Sequence, residues 1–96
     1  KPAQPCLSSR FPYGYNITFD RLKMIEEGEA YVRDMGIKDV RVRCQGTSAR
    51  IEIPEKDIKN FINNTNREEL LTHFFKIGFK CVSLDLEGLV SGKLNR

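Results

Sequence analysis

Three residues with reactive or charged side chains stand close together near the start of the chain. They are Cys6, Ser9 and Arg10, within Pro5-Cys6-Leu7-Ser8-Ser9-Arg10-Phe11-Pro12-Tyr13-Gly14. No apolar periodicity of helix or strand builds this stretch, so it reads as a loop that sets a thiol beside a fixed positive charge. A neighbouring cation favours the thiolate, the nucleophilic form of cysteine. The chemistry on offer is that of an activated thiol. The plainer alternative is a Cys6 that packs as a small hydrophobe.

A second group emerges from strand alternation. Val40, Val42 and Cys44 alternate with Arg41 and Arg43; Ala49, Ile51 and Ile53 alternate with Arg50 and Glu52; Val82, Leu84 and Leu86 alternate with Cys81, Ser83 and Asp85. Successive side chains of a strand point to opposite faces, so the apolar sets share one face. Arg41, Arg43, Arg50, Glu52, Cys81, Ser83 and Asp85 share the other. Three arginines on one sheet face make a site able to grip phosphate or carboxylate bidentately. The alternative is a solvated face of cross-strand Arg–Glu pairs. The same alternation sends Cys44 to the core and Cys81 to the polar side, which weighs against an iron–sulfur cluster on the three cysteines. No paired Cys or Cys/His spacing supports zinc.

Carboxylates enter from a helix. Glu26, Glu29 and Arg33 fall at i, i+3 and i+7, along one stripe. Glu29 lies at the edge of the apolar arc and needs a partner there, either Arg33 one turn on or an arginine, metal or cationic ligand on the facing surface. His73, the single histidine, sits on the flank of a helical apolar face with nothing beside it in sequence to make it a base.

The elements that must position these groups follow from caps and periodicity. Residues 1–17 read as an irregular arm, and 18–96 as a single domain. Thr18 caps a helix running to about Met35 and ended by Gly36, its apolar arc formed by Leu22, Met24, Ile25, Tyr31, Val32 and Met35. Strands are expected over 39–44 and 49–53, joined by a hairpin loop. Pro54 begins a short helix carrying Ile58, Phe61 and Ile62. Thr65 to Glu68 reads as a capping box that starts a helix bearing Leu70, Leu71, Phe74 and Phe75, ended by Gly78 before a third strand over 79–86. The fold class is α+β: a small, three-stranded, mainly antiparallel sheet in the order 2-1-3, covered on one face by helices.

Composition fits that size. Ninety-six residues, 40% hydrophobic and 30% charged, make one domain with a modest core. No apolar run approaches membrane-spanning length. Three widely spaced cysteines argue against a disulfide framework and for a reducing, cytoplasmic setting. A net charge of +3 is too small to argue for nucleic acid. Beginning at Lys1-Pro2 rather than Met, the chain reads as a piece of something longer.

Five segments in order, Pro-Cys-Leu-Ser-Ser-Arg-Phe-Pro-Tyr-Gly (5–14), Ile-Glu-Glu-Gly-Glu (25–29), Val-Arg-Val-Arg (40–43), Ala-Arg-Ile-Glu-Ile-Pro (49–54) and Leu-Asp-Leu-Glu-Gly (84–88), resemble the ATP-dependent sacrificial sulfur transferases, LarE. The resemblance covers essentially the whole chain and is to that family's C-terminal half. It implies a partner, the N-terminal PP-loop domain, which uses ATP and Mg²⁺ to adenylylate a carboxylate of a pyridinium biscarboxylate mononucleotide during nickel-pincer cofactor synthesis. It implies that Cys6, with Ser9 and Arg10, is the catalytic group: the thiolate attacks the activated carboxyl, AMP leaves, and breaking of the Cβ–S bond leaves dehydroalanine and a thiocarboxylate. Arg41, Arg43 and Arg50 then become candidates for the substrate phosphate. Glu26, Glu29 and Asp85 become candidates to orient the substrate or a divalent cation. A homo-oligomer is expected.

The chain departs from the family in carrying no phosphate-cradling glycine loop, so this part alone is not expected to bind ATP. It also has Leu89-Val90 where the family pattern places Tyr-Arg before Ser-Gly. Two other readings compete with sulfur donation: a phosphate- or nucleotide-binding or oligomerisation module in which Cys6 is incidental, and part of a transfer-RNA thiolase. The polar face lacks the exposed aromatics that stack bases, which disfavours the last.

Overall fold

Thr18 turns out to be the residue from which the first helix grows. The computed structural model describes residues 18–90, and in it the Thr18 hydroxyl accepts from the Arg21 N–H at 3.2 Å. Asp20 in the first turn and Arg33 in the last complement the helix dipole of α1 (Phe19–Asp34). The chain then forms β1 (Arg41–Gln45), β2 (Ser48–Glu52), α2 (Glu55–Asn64), α3 (Arg67–Ile77) and β3 (Cys81–Leu84). A two-residue turn, Gly46-Thr47, joins β1 to β2, with Gly46 at a φ of 60°.

The apolar row of the sheet is buried as its alternation demands. Val42, Cys44, Ala49 and Ile51 lie under Ile25 and Val32 of α1 and Phe74 of α3, with Ile53 and Phe79 completing the core. Phe74 and Phe79 rings stand 5.8 Å apart. Gly28 lets α1 approach: a Cβ there would sit 3.2 Å from the Phe74 ring and 3.5 Å from Val42. The result is an α+β domain with helices on one face of a three-stranded sheet.

The strand order differs from expectation. It is β1-β2-β3, with β1 and β2 antiparallel and β2 and β3 parallel, so the sheet is mixed and the expected order 2-1-3 is corrected. The reason lies at the outer edge of β1. There the buried Glu29 carboxylate of α1 accepts from the Val42 N–H at 2.9 Å, and a helix side chain occupies a ladder position that a third strand would have needed. β3 instead pairs directly with β2, and the parallel zipper continues past both strands: Asp85 N–H donates to Ile51 O at 2.9 Å and Leu89 N–H to Ile53 O at 2.8 Å.

Local boundaries shift for similar reasons. Asn66, not Thr65, caps α3, its side chain accepting from the Glu69 N–H at 3.0 Å. β3 stops at Leu84 because Asp85 opens a turn: its side chain accepts from Glu87 N–H and its carbonyl from Gly88 N–H. That turn throws Leu86 outward to 75% exposure, against its expected place on the core face. Ile62 and Phe75 also point outward, whereas Phe61 and Phe74 carry the core side of their helices. No helix among the described residues is long and apolar enough to cross a membrane.

Candidate functional site: the arginine face of the sheet

β1 and β2 place the polar residues in register on the face away from the helices. Arg41 stands opposite Glu52, and Arg43 opposite Arg50; Ser83 follows beside Arg50 on β3. Glu52 is fully buried and both its oxygens are engaged. Oε1 accepts from Arg43 Nε at 3.0 Å, and Oε2 from Arg50 Nε and Nη2, each at 3.2 Å. Arg50 Nε also lies 3.4 Å from Asp85 Oδ2. The structure thus brings together Arg43, Arg50 and Asp85 from the candidate site around Glu52, the carboxylate that the alternative reading of this face offered as a partner in Arg–Glu pairs.

Arg41 differs from its neighbours. It is half-buried, donates to the carbonyl of Val40 at 3.3 Å, and makes no ion pair among the described residues. Counting the described groups of this cluster, three arginines face two carboxylates, which leaves one positive charge in excess. An anion arriving here would meet Arg41 without first displacing a carboxylate from it.

Glu26 and Glu29 do not share a setting. Glu26 is exposed on α1 and forms no ion pair among the described residues, while Glu29 is buried at the β1 edge, where Arg33 approaches to 3.4 Å. Of the partners expected for Glu29, Arg33 is present; the Val42 N–H is an additional one that side-chain pattern could not announce. Cys6, Ser9 and Arg10 lie outside the described residues.

The other two cysteines fall on opposite faces. Cys44 is buried, its Sγ 3.6 Å from Gly46 O and 3.9 Å from Arg21 Nη1, while the same guanidinium also donates to Gly46 O. Burial pushes the Cys44 thiol above its ordinary value, against a smaller opposite pull from Arg21. Cys81 is exposed. These two sulfurs do not converge on one ion, and among the described residues no group of three Cys, His, Asp or Glu is placed to hold a metal. Nor do the described residues form a phosphate loop. Gly36 and Gly78 close helices, Gly46 makes the hairpin, and Gly88 the final turn.

A separate groove of about 500 Å³ lies on the helical side, where Tyr31, Asn60, Asn64, Asn66 and Glu69 meet near the start of α3. Tyr31 stacks on His73 at 4.2 Å. Sequence reading missed this groove. Its trace was the polar stripe Asp57, Asn60, Asn64 at i, i+3 and i+7 of α2.

No family model matches the chain. Over its whole length it is 51% identical to an uncharacterized protein of Synechocystis, covering 36% of that protein. It is 40% identical over 98 residues to the pyridinium-3,5-bisthiocarboxylic acid mononucleotide synthase of Lactiplantibacillus plantarum, covering 99% of the chain and 34% of the synthase. Over 86 residues it is 38% identical to an uncharacterized protein of Methanocaldococcus jannaschii. The chain therefore spans about a third of the length of the curated relatives it matches.

Proposed function

We propose that the chain is the sulfur-donating domain of a LarE-type ATP-dependent sulfur transferase, with Cys6 as the donor. The observation that carries this reading is the match, over essentially the whole chain, to a synthase whose named product holds sulfur in two carboxyl groups. Such a product requires a sulfur source, and Cys6, four residues before Arg10 in the sequence, supplies a thiol suited to be one. The remaining two thirds of a protein of the relatives' size would hold the PP-loop domain, with ATP and Mg²⁺, that converts the substrate carboxylate to an acyl adenylate. The described residues offer no phosphate loop, so no ATP step is assigned to them.

In the reaction the Cys6 thiolate adds to the activated carbonyl and expels AMP, forming a thioester. Loss of the Cys6 α-proton and cleavage of the Cβ–S bond then release the thiocarboxylate and leave dehydroalanine. Arg41 is the first candidate to hold the substrate phosphate, since Arg43 and Arg50 already bind Glu52. The test is the intact mass of the full-length protein from cells making the product, with Cys6 mapped. The expected result is a loss of about 34 Da at Cys6, one H₂S per chain. An unmodified Cys6 in protein that has formed product would overturn sacrificial donation.

A second reading, an anion-binding module without chemistry of its own, draws on Arg41 alone. It predicts phosphate affinity that survives Cys6→Ser and falls with Arg41→Ala. Oligomerisation through this domain belongs to the same reading.

A further inference from the structure

Glu52 sits at the centre of the arginine face with no exposed surface. Arg41 stands opposite it, Arg43 lies on the diagonal, and Arg50 precedes it by two residues on the same face. Each carboxylate oxygen serves a different arginine. Beyond Arg50 the chain of contacts runs to Asp85 and from there to the Glu87 N–H at 2.9 Å. A carboxylate taken out of water costs several kcal/mol unless fully paired, and packed apolar side chains often serve stability equally well. The hydrophobic core lies on the other face, so packing alone does not call for a charge here.

We propose that Glu52 is a positioning residue for anion recognition. It fixes the guanidinium planes of Arg43 and Arg50 beside Arg41, so that this face meets an oxyanion as an oriented set of N–H donors. A guanidinium is a rigid planar fork; held at its Nε edge, it has a set direction instead of a swept volume. The ligand class is a phosphate monoester, the group carried by a mononucleotide. The inference rests on the reading of this face as the substrate-phosphate site.

Charge and position predict opposite signs, which makes the proposal testable. By Coulomb's law alone, Glu52→Gln removes a negative charge from the site and tightens anion binding. By positioning, the amide turns an N–H₂ donor toward one guanidinium, that arginine is released, and binding weakens. The experiment titrates inorganic phosphate into the full-length protein, read at the Nε–H resonances of Arg41, Arg43 and Arg50, which localise binding to this face. E52Q is expected to bind about tenfold more weakly, the loss of one charge-assisted contact. Glu52→Asp keeps the charge but is too short to bridge both arginines, and is also expected to weaken binding; it decides the question if E52Q does not fold. Equal or tighter binding in the folded variant overturns the proposal. If the wild-type resonances do not respond to phosphate while Cys6 still loses its sulfur, the anion reading of this face fails, and this inference with it, but sulfur donation stands.

Discussion

Glu29 is a carboxylate with a backbone partner, and that is why its surroundings were only half legible. Periodicity placed it at the edge of a buried arc and offered Arg33, which the structure provides at 3.4 Å. A strand-edge N–H has no sequence signature, so the bond to Val42 was invisible. Glu29→Ala leaves that buried donor unsatisfied and is expected to cost about 1–3 kcal/mol in urea unfolding, with Glu29→Gln costing less because an acceptor remains. The cysteines, by contrast, were readable, because a period of two decides which face each takes. Cys44 is buried with its thiol pushed up, and Cys81 is exposed. Iodoacetamide should therefore modify Cys81 at least about tenfold faster than Cys44 in the folded chain, since only an accessible thiolate reacts. The pH dependence follows in sign. Above the ordinary thiol value of 9.0 the unfolded chain releases the Cys44 proton while the folded chain retains it. Stability is thus held below that value and falls as pH rises toward the raised folded one, and the fall should be shallower in Cys44→Ala.

Elements were legible where one segment carried its own instructions, and illegible where two segments had to agree. The cap at Thr18, the stop at Gly78 and the inward rows of β1 and β2 follow from local pattern. The strand order does not, because it depends on which edge α1 has already covered. Two glycines from the motifs now have physical reasons. Gly28 is the contact point of α1 with Phe74, where an added Cβ would press on a fully buried ring at 3.2 Å. Gly28→Ala sets an overpacking cost of about 1–3 kcal/mol against about 1 kcal/mol of gained helix propensity, and with the Phe74 ring fully buried it is expected to destabilise by about 1 kcal/mol net. Gly88 is more constrained. Its φ is 85°, and a Cβ would lie 2.8 Å from the backbone oxygen of Ile53. A side chain can swing aside, whereas that carbonyl oxygen already accepts from the Leu89 N–H. Gly88→Ala should therefore cost more than Gly28→Ala and should loosen the end of β3 first, seen as faster amide exchange at Asp85 and Leu89.

At the scale of the whole molecule the sheet divides the labour: one face is core under three helices, and the other gathers arginines around a buried carboxylate. A polar face of this kind suits the positioning of an anionic substrate, and under the proposed function the carbon chemistry falls to Cys6, outside the described residues. If Cys6 gives up its sulfur, the protein is consumed as a reagent, and the count of product must show it. Each chain carries one Cys6, so thiocarboxylate formed by the full-length protein, supplied with ATP, Mg²⁺ and substrate but no sulfur source, should plateau at one group per chain. A product with two thiocarboxylates then requires two chains. The plateau should follow the amount of protein and ignore added substrate, and Cys6→Ser should abolish it while ATP is still consumed to form the acyl adenylate, read as pyrophosphate release. Arg41→Ala should behave differently, needing more substrate to reach the same plateau, because a binding residue changes occupancy and not stoichiometry. More than one thiocarboxylate per chain under these conditions would mean that the sulfur is not drawn from Cys6 alone.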